Sequence, residues 1–144
     1  MTTLRHLAHA VGSTGAEEPP YRVELSTGGH RLLADEPLAE GGGDLGPSPM
    51  SLLVSALAAC TATTLRIYSA RKGWDLASIS VDVRFNLAES GETSIQRTIT
   101  VPPSLLPDQR LRLADIAERT PVTLTIRTPI STTFLAAPQG DGAH

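Results

Sequence analysis

The chain has one cysteine, Cys60, and that scarcity excludes whole classes of chemistry. There can be no intramolecular disulfide framework and no zinc site built on several thiolates. Aromatic residues are also scarce. Two Phe, two Tyr and one Trp in 144 residues leave no platform on which bases or sugar rings would stack. Neither sign of charge is in large excess: twelve Lys and Arg against fifteen Asp and Glu give a formal net charge of −3. The basic residues are scattered rather than gathered into a stripe, so nucleic acid is not an expected partner. Uninterrupted apolar runs fall short of a bilayer's thickness, and no membrane partner is expected. The opening MTTLRHLAHAVG has no sustained apolar core of the signal-peptide kind, which makes the cytoplasm the expected location. With no carboxylate pair, metal-ligand cluster or cofactor fingerprint, neither metal nor cofactor is expected.

What remains is a chain of single-domain length whose core must come from Leu, Val, Ile and Ala. It is organised around GPSPMSLLVSALAACTATTLRIYSARKGW, residues 46–74. Ser48 offers an N-cap and Pro49 suits the first helical position. Arg71 and Lys72 fall at the negative end of the helix dipole, and Gly73 is a natural C′ residue. These signals predict one helix of roughly 36 Å. Leu53, Leu57, Cys60, Thr64 and Tyr68 recur at helical spacing, which predicts a shared face with Cys60 at its middle. Ser55, Ala56, Ala59 and Ala62 keep the other sides small or apolar, so the helix is expected to be covered on several faces, by a second copy of the chain.

The flanking segments follow in order. Residues 1–20 read as a weakly ordered N-terminal segment, 21–135 as a single domain and 136–144 as a frayed tail. Tyr21–Leu25 and His30–Ala34 alternate about Ser26-Thr27-Gly28-Gly29, a hairpin. After Trp74 the period changes. Ile79, Val81, Val83 and Phe85 define a half-buried strand, Glu89–Glu92 a turn, and Thr93–Val101 a returning strand. Pro107-Asp108 opens a second helix through about Arg119, with Leu111, Ala114, Ile116 and Ala117 inward, and Pro121 stops it. Val122–Arg127 reads as a final strand. The order β-β-α-β-β-α-β is an α+β arrangement.

Several minor constellations have ordinary structural readings. His6 and His9 would meet on a helix, but no further ligands accompany them. Gly41–Gly43 lacks the spacing of a phosphate cradle and reads as a loop. Ser69-Ala70-Arg71-Lys72 spells S-x-x-K without its companion motifs. His30 near Asp35 and Glu36 sits on a surface hairpin. Arg110, Arg112, Asp115, Glu118 and Arg119 form the solvated face of the second helix, with ion pairs at i,i+3 and i,i+4.

The helix string, followed by ISVDVRF and RLRLADIAERTPV and preceded by HRLLADEP, resembles the OsmC/Ohr family of thiol-dependent peroxidases, in particular its OsmC-like branch. The resemblance spans about residues 25–130. It implies antiparallel sheets packed around a long central cysteine-bearing helix in an intertwined homodimer. It also implies a peroxidatic role for Cys60 against organic hydroperoxides, with an arginine beside the thiolate. This chain departs from the family pattern at three places. The second, resolving cysteine of the family's Cys-Pro-Val is Thr120 in Thr120-Pro121-Val122. The glutamate ten residues before the cysteine is Met50. The arginine-bearing segment reads Leu33–Pro37, which leaves Arg22 and Arg31 as the nearest cations and Arg31 as the expected thiolate partner.

A thiol must be deprotonated to attack, and Cys60 lies too far along the helix for the N-terminal dipole to help. Two readings therefore stand. In the first, Cys60 reduces organic hydroperoxides in a one-cysteine cycle completed by an external thiol reductant. In the second, the chain is a non-catalytic relative that either senses oxidants through Cys60 or binds a small apolar ligand, Cys60 being in the latter case a small core residue. Met50, Leu53, Leu57 and Thr120 are the expected pocket residues in either case.

Overall fold

The long helix forms as its capping residues require. In the computed structural model, which describes residues 5–137, helix α1 runs Pro49–Lys72. Ser48 is the N-cap, its Oγ accepting the Ser51 backbone N–H at 3.2 Å, and Pro49 occupies a position that needs no N–H. At the far end Gly73 adopts φ 69°, a left-handed conformation. Its N–H and that of Trp74 return to the carbonyls of Ala70 and Ser69. Ala, Ser and Thr break the apolar runs without adding charge. As a result α1 is long and apolar enough to cross a bilayer on length and composition, which run length alone did not anticipate. One side of it lies against a sheet and two helices of the same chain.

Two antiparallel sheets flank the helix in sequence. The first has strands β1 (Ala10–Ser13), β2 (Val23–Thr27) and β3 (His30–Ala34) in that order. The β2–β3 hairpin turns on Gly28 and Gly29, both at positive φ, as the sequence predicts. Within the segment read as weakly ordered, Ala10–Ser13 form strand β1. Ala10–Ser13 pairs with Thr27–Glu24, and the Thr27 hydroxyl donates to the His9 carbonyl at 2.8 Å. AVGS is too short to show a period, and its order comes from the free edge of β2. Residues 5–9 are not helical, so His6 and His9 do not gain the juxtaposition a helix would give.

The second sheet pairs β4 (Ser80–Leu87) with β5 (Thr93–Thr100). Helix α2 follows at Pro107–Ala117. Its inward residues are Leu113 and Ala117, whereas Leu111, expected inside, is 70% exposed. The expected last strand is instead a short helix, α3 (Pro121–Thr125). Val, Leu and Ile alternating with Thr suggests a strand by period. Thr120 as N-cap and Pro121 at the first helical position override it, the Thr120 hydroxyl accepting the Thr123 N–H at 3.4 Å.

The core is a cluster of Leu65, Leu76, Leu105, Leu113 and Ala117, to which no residue of β1, β2 or β3 contributes. The connection from β3 to α1 is a tight loop organised by Asp35. This carboxylate is 1% exposed and accepts the N–H groups of Glu36, Gly43 and Leu45 at 2.8, 3.1 and 3.2 Å. A Cβ on Gly42 would collide with the Glu36 carbonyl, and one on Gly46 with that of Leu33. The glycines thus serve close backbone packing. The loop accordingly sets where the N-terminal sheet leaves off and where α1 begins.

Candidate functional site at the middle of the long helix

The buried stripe of α1 is Leu57, Thr61, Leu65 and Ser69, one residue away from the stripe the sequence predicts beyond Leu57. Thr61 can take an interior place because its hydroxyl is satisfied, donating to the Leu57 carbonyl at 2.7 Å. Cys60 therefore lies beside the buried stripe and is half-buried. Its Sγ approaches the Thr64 hydroxyl at 3.9 Å. Among the described residues no cation is hydrogen-bonded to it. A thiol so placed is reachable by a small oxidant or an external thiol, which a thiol sealed in the core would not be.

The expected site residues are distributed as follows. Leu57 is buried, while Met50 and Leu53 are 40% and 38% exposed. Leu57 lines a cavity of about 220 Å³ with Arg97, Thr123 and Ile126, and neither Met50, Leu53 nor Cys60 lines it. Arg31 is exposed on β3 and shares a groove with Val11, Glu24 and Leu32, so no contact within the chain brings it to Cys60. Arg22, the other nearby cation, is paired with Glu17 and Glu24 at 3.2 and 3.1 Å. His30 is exposed at the hairpin end while Asp35 is tied to backbone, so the two form no acid–base pair. Ser69 is buried with no hydrogen-bond partner for its hydroxyl among the described residues, and the Lys72 ammonium sits 5.7 Å over the Tyr68 ring. The S-x-x-K string forms no unit.

Thr120, where a second thiol would stand, is wholly buried. Its Oγ1 lies 2.6 Å from the Thr123 Oγ1, which accepts from the Arg97 Nη1 at 3.0 Å. The same nitrogen donates to the Thr61 Oγ1 at 3.0 Å, and Nη2 donates to the Ala117 carbonyl at 2.7 Å. A chain of polar contacts thus links the cap of α3 to the α1 turn that carries Cys60. Polar residues dominate β5, so the sequence alone does not single out Arg97. The available signal is register: Arg97 pairs with Val83, an inward residue of β4, so it must point inward as well. Glu118 adds a carboxylate at 3.6 Å from Nη2.

On the outer side of α1, Arg112 of α2 donates from Nε to the Tyr68 hydroxyl at 3.0 Å and from Nη1 to Asp115 at 3.0 Å. The Tyr68 hydrogen bond, with Tyr68's charge attraction behind it, raises the Arg112 pKa above its ordinary value. That guanidinium stays charged throughout the working range of any protein.

No curated protein matches the sequence. Solved structures do match. A Psychrobacter arcticus protein described as an osmotic stress induced and detoxification response protein aligns with a TM-score of 0.68 at 19% identity, covering 86% of this chain and 90% of its own. An OsmC-like protein from Mycoplasma pneumoniae aligns with a TM-score of 0.62 at 17% identity, covering 88% and 89%. The organic hydroperoxide resistance protein OhrB of Bacillus subtilis aligns with a TM-score of 0.58 at 21% identity, covering 85% and 91%. At these identities the likeness establishes the fold. The sequence profile described as OsmC-like protein matches residues 41–134, more than half of the chain, and takes in α1 with Cys60, the β4–β5 hairpin and both short helices. By that match the chain belongs to the OsmC-like protein family.

Proposed function

We propose that this protein reduces organic hydroperoxides through Cys60 in a one-cysteine cycle, as part of oxidative-stress defence in the cytoplasm. The observation that carries the proposal is the position of the thiol: mid-helix, half-buried and off the buried stripe, within the segment that matches the family. In the first step the Cys60 thiolate attacks the terminal peroxide oxygen. The O–O bond breaks, sulfur is oxidised to a sulfenic acid, and the alkoxide leaves as an alcohol after taking a proton. One external thiol then displaces water to form a mixed disulfide. A second external thiol releases Cys60 and carries the disulfide away. Thr120 cannot perform the resolving step, so the resolving thiol comes from another molecule, an external reductant in the cycle proposed.

The cycle needs a cation at the thiolate, and the proposed assembly supplies a place for one. The chain exposes 11528 Å². A compact 15.2 kDa monomer would expose about 7,100 Å². Only 17% of the apolar stretch of α1 is buried, Leu53 is 38% exposed, and the core cluster around Leu65 takes no residue from the N-terminal sheet. These features support a homodimer in which the two long helices and the exchanged sheets cover one another. Within it, Arg31 of the second copy is the proposed partner of Cys60, and Met50 and Leu53 contribute to the apolar wall around the peroxide's alkyl group.

One observation favours a second reading. The interior position of a second thiol is filled by Thr120, locked to Thr123, and Met50 replaces a charge near the helix start. A non-catalytic OsmC-fold protein that binds a small apolar ligand or senses oxidants fits those two residues. Consumption of cumene hydroperoxide with a dithiol reductant distinguishes the readings. Activity that disappears in Cys60→Ser while fold and association state persist supports the enzyme, and equal consumption by both proteins refutes it.

A further inference from the structure

We infer that the cleft between the C-terminal half of α1 and α2 is a binding site for a small amphipathic carboxylate, separate from the thiol chemistry. The cleft holds about 360 Å³, within the range of small-molecule sites. Ile67, Ile116 and Pro121 give it an apolar lining, and Arg71, Arg112 and Arg119 line it as well. Three guanidiniums face a single carboxylate. Asp115 Oδ2 is shared by Arg112 and Arg119, and Arg71 makes no ion pair among the described residues. Among the described residues, the lining therefore has an arginine without an ion pair at Arg71 and a guanidinium at Arg119 whose one acidic partner, Asp115, is already shared.

An apolar lining of limited length beside two cations matches a ligand with a short alkyl body and one anionic end. A charged lining alone would attract any anion, and an apolar lining alone any hydrocarbon. The combination requires both features in one molecule. The Tyr68 hydroxyl fixes Arg112 by accepting from its Nε, so one wall is pre-oriented. Thr64, whose hydroxyl approaches the Cys60 sulfur, lies at the edge of the same cleft, yet no part of the binding argument needs the thiol.

The test is calorimetric titration of the full-length protein with octanoate, 1-octanol and inorganic phosphate as separate probes. Octanoate is expected to bind saturably with one site per chain. Arg71→Gln and Arg119→Gln are each expected to weaken it about tenfold, the loss of one charge-assisted hydrogen bond. Arg110→Gln, an exposed arginine of α2 outside the cleft, and Cys60→Ser are expected to bind like the unmodified protein. Unmodified binding by Cys60→Ser keeps this inference distinct from the peroxidase proposal. Absent or non-saturating octanoate heat overturns the inference. So does equal affinity for 1-octanol, equal affinity for phosphate alone, or octanoate binding unaffected by both arginine substitutions in variants that melt with the unmodified protein.

Discussion

Replacing Arg97 with Ala should be among the most destabilising single changes available to this chain. The side chain is 11% exposed, and its guanidinium holds Thr61 of α1, Thr123 of α3 and the carbonyl at the end of α2. Hydrogen bonds from a charged donor contribute about 1.5 kcal/mol or more each once hydration is counted, so losing three costs about 4 to 5 kcal/mol. The pair with Glu118 adds little, because Glu118 is 70% exposed and a solvent-facing ion pair is worth less than about 0.5 kcal/mol. With a urea slope of about 1.5 kcal/mol per molar, the unfolding midpoint should fall by roughly 3 M at unchanged slope. Urea titration followed by far-ultraviolet dichroism, at one fixed protomer concentration, measures this directly. Arg97→Lys keeps the charge but cannot reach both hydroxyls and the carbonyl, and should lose about half as much. Glu118→Ala should be nearly silent. A loss below about 0.5 kcal/mol for Arg97→Ala would show that the three elements are not held by this residue.

The remaining predictions concern caps and surface pairs. Ser48→Ala removes the side-chain acceptor at the start of α1 and should cost about 1 kcal/mol in the same titration. Thr120→Val removes both the cap of α3 and the hydroxyl contact with Thr123, and should cost about 1 to 2 kcal/mol, with no loss expected if α3 is held only by its apolar residues. Asp115→Asn breaks two exposed pairs and should change stability by less than about 0.5 kcal/mol, a difference that vanishes in molar salt. Tyr68→Phe tests the cause of the Arg112 shift. A raised arginine pKa contributes stability at every pH below the arginine's ordinary range and loses it only above, so the cost of Tyr68→Phe should be flat across the neutral and mildly acidic range. A cost that varies with pH there would contradict the assignment.

Much of the fold could be read where local chemistry is decisive. Ser48-Pro49 and Gly73 bound α1 to the residue, and the β2–β3 and β4–β5 hairpins follow from alternation about glycine-bearing turns. The failures have physical causes. The sequence period of Val122–Arg127 is that of a strand, but a capping threonine and a proline at the first position commit the chain to a helix turn before the period can act. Strand β1 has too few residues for a signal and depends on a partner distant in sequence. In the site, apolar weighting selected Cys60 over Thr61 for the buried stripe. Thr61 takes the place because Leu57 and Arg97 satisfy its hydroxyl, an interaction invisible until the strands are in register. Arg31 reads as the thiolate partner only through family likeness. Within one chain it lies in a different groove, so its proposed role depends on a second copy.

The most direct test of the central claim is the intact mass of the reduced protein after a brief pulse of cumene hydroperoxide. The account predicts rapid gain of one oxygen, about +16 Da, confined to Cys60, captured by a sulfenic-acid trap and reversed by a dithiol. An unchanged mass at a peroxide level that oxidises free cysteine would mean that Cys60 is an inert half-buried thiol, and the peroxidase proposal would fall.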